Sequence, residues 1–288
     1  MPRVLAISSH VACGHVGLAA IVPALQALGH DVIALPTVLL SNHPGHAHVA
    51  GARVDPDQLR RMLGALEANG WLAGIDAVLT GYLPSVEHVR FAADAVAAVT
   101  QANPRAIVLV DPILGDDPKG LYIDVTAAAA IRDTLLPAAT TIKLNAFELS
   151  WLTGIPAGSE DEAARAAGSL LTAARRLNPV AKSSVLATSV PGPAAVLSNV
   201  FVAAPGARAV ACRVERLDRI PKGTGDLLSA LLLAAMLSGV GDGGQHMAKA
   251  VAGLDLVVRA SGSRDELCLV PNLARLGGCR PLPLNDIA

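Results

Sequence analysis

The stretch Pro221-Lys222-Gly223-Thr224-Gly225-Asp226 passes directly into an apolar run over residues 227–237, and it restricts the possible folds more than any other part of the chain. A helix that is apolar on every side has to be buried, so it needs neighbours all round it. Its amino end offers backbone N–H groups without helical partners and a partial positive charge, and the two glycines leave room for an oxyanion to reach the backbone. Gly223, Thr224 and Gly225 therefore read as an anion hole for phosphate oxygens. Asp226 admits two readings: a helix cap, or a general base that takes the proton of a hydroxyl attacking the bound phosphate.

Around this segment, short Leu-rich or β-branched runs alternate with longer Ala-rich ones, the pattern of a mostly parallel sheet covered by helices on both faces. Strands are predicted at residues 4–8, 31–35, 77–80, 106–110, 140–143 and 184–187. Helices are predicted at 17–28, 56–68, 86–101, 125–135, 146–153, 160–177, 227–237 and 245–261. Ser159 with Glu162 and Ser263 with Glu266 each spell a capping box, expected to open a helix. Residues 194–214 read as two or three strands, an antiparallel edge after the parallel section. No repeat or linker divides the chain, so a single α/β domain over residues 1–288 is expected.

Of the 288 residues 52% are hydrophobic, enough for a large core. Aromatics make up only 2%, which leaves little surface for stacking on bases. Lys and Arg number 23 against 24 Asp and Glu, with no basic run, so neither a nucleic-acid nor a membrane partner is indicated. The cysteines at 13, 212, 268 and 279 form no CxxC pair and suggest no disulfide framework; a reducing cytoplasm is the expected location.

Two further segments follow predicted strands, where parallel sheets bind ligands. Asp111 comes directly after the strand ending at Val110, and Asn145-Ala146-Phe147-Glu148 follows the strand ending at Lys143. Their oxygen atoms suit Mg²⁺ and its waters, although Glu148 on its own reads more readily as a solvated helix residue. His43, His46 and His48 share one loop but lack a fourth ligand nearby, so a transition-metal site is not expected there.

Taken together these segments resemble the pyridoxal kinase family of the ribokinase-like superfamily, over nearly the whole chain. The similarity is carried by Ser8-Ser9-His10-Val11 with Gly14-His15-Val16-Gly17, by Leu40 to His46, and by Leu79-Thr80-Gly81-Tyr82. It continues through Asp111 to Asp116 with Gly120-Leu121-Tyr122, then Thr188-Ser189, then the Gly223 to Asp226 turn. The resemblance implies a three-layer α/β/α fold and phosphoryl transfer from MgATP to pyridoxal by a cytoplasmic homodimer. In that frame Ser9, Val16, His43, Tyr82 and Tyr122 line the vitamer site and Asp226 faces its 5′-hydroxymethyl group. Asp111, Asn145, Glu148, Thr188, Ser189 and the anion hole serve the nucleotide, with Asp111 and Glu148 holding the metal.

Two residues depart from the family pattern. Lys143 stands where relatives, often stimulated by K⁺, carry a threonine near the monovalent ion; its ammonium would replace that ion or pair with Asp111. Pro44 stands where a threonine commonly contacts the substrate, and it has no side-chain donor to do so. Other readings are a kinase of the same superfamily acting on hydroxymethylpyrimidine or another small alcohol, and a vitamer-binding protein without turnover. A nicotinamide oxidoreductase is disfavoured, because SSHVACGHVG and not GxGxxG follows the first strand.

Overall fold

Strand β1 (Arg3–Val11) shows why the chain needs two helical layers. Val4, Leu5, Ala6 and Ile7 are all fully buried, yet successive strand side chains point to opposite faces. Leu5 and Ile7 enter one apolar cluster and Val4 and Ala6 the other, so both faces of the sheet are covered. The computed structural model describes residues 1–179, 183–194 and 196–287.

After β1 come α1 (Leu18–Ala27), β2 (Asp31–Leu40), the short β3 (Gly51–Arg53), α2 (Pro56–Ala68), β4 (Ala77–Thr80), α3 (Val86–Ala102) and β5 (Ile107–Val110). A small hairpin, β6 (Gly115–Asp116) and β7 (Gly120–Leu121), precedes α4 (Val125–Ala130). The chain continues through β8 (Thr141–Asn145), α5 (Ala146–Thr153), α6 (Glu160–Leu177), β9 (Ser184–Pro191), β10 (Val196–Val202) and β11 (Val210–Glu215). It closes with α7 (Thr224–Leu237), α8 (Gly243–Ser261), α9 (Leu273–Leu276) and β12 (Leu284–Asp286).

The main sheet runs β12-β11-β10-β9-β8-β5-β4-β1-β2-β3. Its middle, from β9 across to β2, is parallel, and both edges are antiparallel. Helices α2 to α6 cover one face, while α1, α7 and α8 cover the other. Every residue of α7 from Leu227 to Ala235 is buried, as an all-apolar helix requires. Asp55 caps α2, and Asp242 with Gln245 forms a reciprocal capping box on α8.

Three local expectations change. The helix predicted over 125–135 is α-helical only to Ala130, and Ile131–Leu135 continues as a wider π turn. Ser263 and Glu266 open no helix: Glu266 reaches back to accept from the His15 N–H at 3.3 Å, and its backbone bridges to Lys222. A carboxylate with a distant partner of this kind is free of any capping duty. At the far edge, β3 was not foreseen, since three residues are too few to display a period. In the antiparallel region β10 and β11 meet the expectation for 194–214, of which Ala195 lies outside the described residues.

Candidate active site

The carboxyl ends of the parallel strands form one rim. Ser8 and Ser9 in β1, Tyr82 just after β4, Asp111 after β5, Asn145 ending β8 and Thr188 in β9 all fall on it. The amino end of α7 meets this rim. Gly223 is the helix N-cap in a left-handed conformation, φ 91°, and an added Cβ would overlap the His15 carbonyl oxygen, so the position accepts only glycine. Asp226 is consequently the third helical residue and not the cap. Its carboxylate accepts from the Gly17 N–H and from its own backbone N–H, so the N-cap position itself belongs to Gly223.

Asp226 closes one end of a cavity of about 410 Å³. Ser9, Val16, His43, Tyr82 and Tyr122 line the same cavity, so the five residues expected around a vitamer ring converge on one space. Tyr82 is fixed at both sides of its backbone: its N–H donates to Ser8 Oγ at 3.1 Å and its carbonyl accepts from Thr37 Oγ1 at 2.7 Å. Tyr122 follows β7, remains 43% exposed, and has the Lys119 ammonium 5.8 Å from its ring centroid. Burial, helped by Lys222, lowers the pKa of His43, whose Nδ1 accepts from the Gly45 N–H at 2.9 Å. His46 turns away to Glu266 at 3.1 Å, so the loop histidines serve different partners and do not converge. Burial pushes Asp226 up to about 6; the nearby Asp111 charge adds to this, while the Gly17 N–H and Lys143 hold it down.

Beside this cavity a second cluster is tied internally. The Lys143 ammonium, 5% exposed, donates to Asp111 Oδ2 at 2.6 Å and to the Gly225 carbonyl at 3.3 Å. Ser229 Oγ donates to the same Asp111 oxygen at 2.7 Å. Burial alone would lower the Lys143 pKa, but Asp111 and the neighbouring acids Glu148 and Asp226 raise it, so the lysine stays charged. Glu148 accepts from the Leu114 and Asn145 N–H groups, both at 2.8 Å, while Asn145 Oδ1 caps α5 by accepting from the Glu148 N–H. Burial raises the Glu148 pKa, with Asp111 reinforcing the effect.

Thr188 and Ser189 face Thr224 and Gly225 across a groove walled by Leu228, Val251 and Leu254. Ser189 holds a positive φ of 56°, a strained conformation common at ligand sites. Of the two residues expected to hold a metal, Asp111 is already paired with Lys143, and Glu148 is held by backbone N–H groups. Asp116 was not singled out, yet its Oδ1 is buried without a partner among the described residues. No group of three or more His, Cys, Asp or Glu side chains is arranged as a metal cage among the described residues. The donor set suits Mg²⁺, which keeps several waters and needs only one or two carboxylates beside substrate phosphates. Ser229 and Arg53 were also missed, the first inside an apolar helix and the second on a strand too short to predict.

A family model described as phosphomethylpyrimidine kinase matches residues 16–256. The pyridoxine/pyridoxal/pyridoxamine kinase of Bordetella avium is 38% identical over 236 residues, covering 82% of this chain and 78% of its own. The chain belongs to the pyridoxal kinase family. Among other relatives, the pyridoxal kinase of Corynebacterium diphtheriae is 34% identical over 230 residues, covering 80% of this chain and 79% of its own. The solved pyridoxal kinase of Leishmania donovani in complex with ADP and pyridoxamine superposes with a TM-score of 0.90 at 28% identity over 99% of both chains. The ribokinase-like three-layer architecture expected of the pyridoxal kinase family is therefore the one observed.

Proposed function

We propose that this chain transfers the γ-phosphoryl group of MgATP to the 5′-hydroxymethyl group of pyridoxal, giving pyridoxal 5′-phosphate and ADP. The observation that carries the reading is the position of Asp226, at once on the wall of the cavity and in the first turn of α7. Asp226 takes the hydroxyl proton as that oxygen attacks the γ-phosphorus, and the bond to the β-phosphate oxygen breaks with release of ADP. The backbone at Gly223, Thr224 and Gly225 receives the phosphate oxygens. Ser9 hydrogen-bonds the ring, Val16 and Tyr82 flank it, His43 lines it, and Tyr122 covers it from the hairpin.

Thr188 and Ser189 serve the nucleotide, and Asp111, Asn145 and Glu148 border its phosphates. Mg²⁺ would be held by Glu148 and Asp116, with Asp111 close by, and would neutralise charge on the β- and γ-phosphates. A single kinase domain over residues 1–288, a homodimer and a cytoplasmic location belong to the same reading; the continuous sheet supports the first. No helix among the described residues is long and apolar enough to cross a membrane.

A second reading, phosphorylation of a hydroxymethylpyrimidine, is favoured by the description of the matching family model. Both are tested by incubating the protein with MgATP and each of pyridoxal, pyridoxine, pyridoxamine and hydroxymethylpyrimidine, with phosphorylated product identified by mass. Product from the pyridine vitamers supports the first reading. Product from the pyrimidine alone replaces it with the second, and ATP-dependent product from none overturns both.

A further inference from the structure

Strand β3, exposed along its whole length, places the positive charge of Arg53 on the wall of the Asp226 cavity. Antiparallel pairing sets Arg53 directly opposite Val38, and Leu40 opposite Gly51. Side chains directly opposite in such a pair stand on the same face of the sheet. Val38 and Leu40 both line the cavity, and so does Arg53. Its charge is felt there, since it draws the pKa of Tyr82 down against the upward push of burial. Among the described residues Arg53 takes part in no ion pair, unlike the arginines at 3, 60, 132, 208, 213, 219 and 259.

Other charges lie around this space: Lys222 and Glu266 act on His43, and the Lys119 ammonium stands 5.8 Å from the Tyr122 ring centroid. Asp226 lies at the reacting end, Asp124 is near Tyr82, and His43 has its pKa lowered by burial. The cavity thus has an acid where the hydroxymethyl group reacts and, on the β3 wall, a guanidinium with no ion-pair partner among the described residues. Resting on the pyridoxal kinase reading, we propose that Arg53 is a specificity-determining residue that discriminates among ring substituents by charge. The three vitamers share the 3-hydroxyl and the 5-hydroxymethyl groups and differ at position 4. Pyridoxal carries a neutral aldehyde there and pyridoxine a neutral hydroxymethyl, whereas pyridoxamine carries an ammonium at neutral pH. With the 5-hydroxymethyl group at Asp226, the ammonium remains inside a cavity to whose wall Arg53 adds a positive charge. The ionised 3-oxygen is attracted by the same charge in every vitamer and so cancels in the comparison.

A full charge a few ångströms away in a partly solvated site changes affinity by roughly tenfold. The experiment compares kcat/KM for pyridoxal, pyridoxine and pyridoxamine in wild type, Arg53→Met and Arg53→Glu. Each protein's own pyridoxamine-to-pyridoxal ratio is the readout, so a general loss of activity does not enter. That ratio is expected to rise about tenfold in Arg53→Met and further in Arg53→Glu, mainly through KM, with pyridoxine following pyridoxal. The wild-type discrimination should also weaken as salt is raised. A ratio within twofold of wild type in both variants overturns the assignment of Arg53 alone. A wild-type protein that phosphorylates no vitamer overturns the pyridoxal reading and this inference with it.

Discussion

The amino end of α7 and the cluster beneath β5 and β8 are neighbours with opposite construction. At the first, Gly223 and Gly225 bare the backbone and Asp226 lines the cavity. At the second, Asp111 is held by Lys143 and Ser229, and Glu148 by Asn145 and the Leu114 N–H, with contacts of 2.6 to 2.8 Å. The difference separates a surface shaped to receive a ligand from one that holds its own charges in place. Lys143 joins the two, since its ammonium bonds Asp111 on one side and the Gly225 carbonyl on the other.

The comparison is broken most severely at Asp226. Asp226→Asn should lower kcat by about 10² to 10⁴ while the protein remains folded. The same change should raise stability, because a carboxylate pushed up to about 6 disfavours its charged form in the fold. That cost is fully present above pH 6 and disappears as pH falls towards the ordinary carboxylate value. Thermal unfolding at pH 8 should therefore show a gain of about 2 kcal/mol for Asp226→Asn that fades near pH 4. Loss of activity with a matching loss of stability would return Asp226 to a structural role.

In the internally tied cluster, stability should respond first. Lys143→Met leaves Asp111 buried and uncompensated, an expected cost of about 3 to 5 kcal/mol in denaturant unfolding. Lys143→Thr introduces the threonine that the family resemblance leads one to expect there, and K⁺ stimulation should then appear or grow when initial rates are measured against KCl at constant ionic strength. Strong saturable K⁺ activation of the wild type, unchanged in Lys143→Thr, would show that the ammonium does not stand in for an ion.

The two glycines sharpen the comparison on a smaller scale. Gly223→Ala should cost at least about 2 kcal/mol, since it combines a positive φ with overlap on the His15 carbonyl. Gly225→Ala places its Cβ 3.3 Å from Lys143 Nζ and should stay within about 1 kcal/mol of wild type, raising the KM for ATP instead. Equal stability losses in the two variants would contradict the division between them.

The parallel core was readable because buried parallel strands are short apolar runs between Ala-rich helices; the strand at 77–80 and the helices at 56–68, 146–153 and 160–177 have the predicted ends. The site motifs were readable for a related reason, since Asp111 and Asn145 follow runs of that kind and Gly223 opens the apolar run of α7. Lys143 was harder, because a lysine at a strand end usually reaches water, and what keeps it inside is Asp111, brought in from 32 residues away, with the Gly225 carbonyl beside it. Ser229 looked like one more small residue of an apolar helix, and Glu266 looked like a cap until the fold gave it His15 and His46. Such pairings come from tertiary proximity, and local sequence carries no sign of them.

General-base action by Asp226 is the central claim, and the pH dependence of kcat/KM for pyridoxal tests it most directly. The wild type should lose activity below about pH 6 as Asp226 takes up a proton. Asp226→Asn, with no carboxylate left to titrate, should show a low rate without that acid limb. An acid limb at the same pH in both proteins, or an Asp226→Asn rate within a few-fold of wild type, would contradict the account.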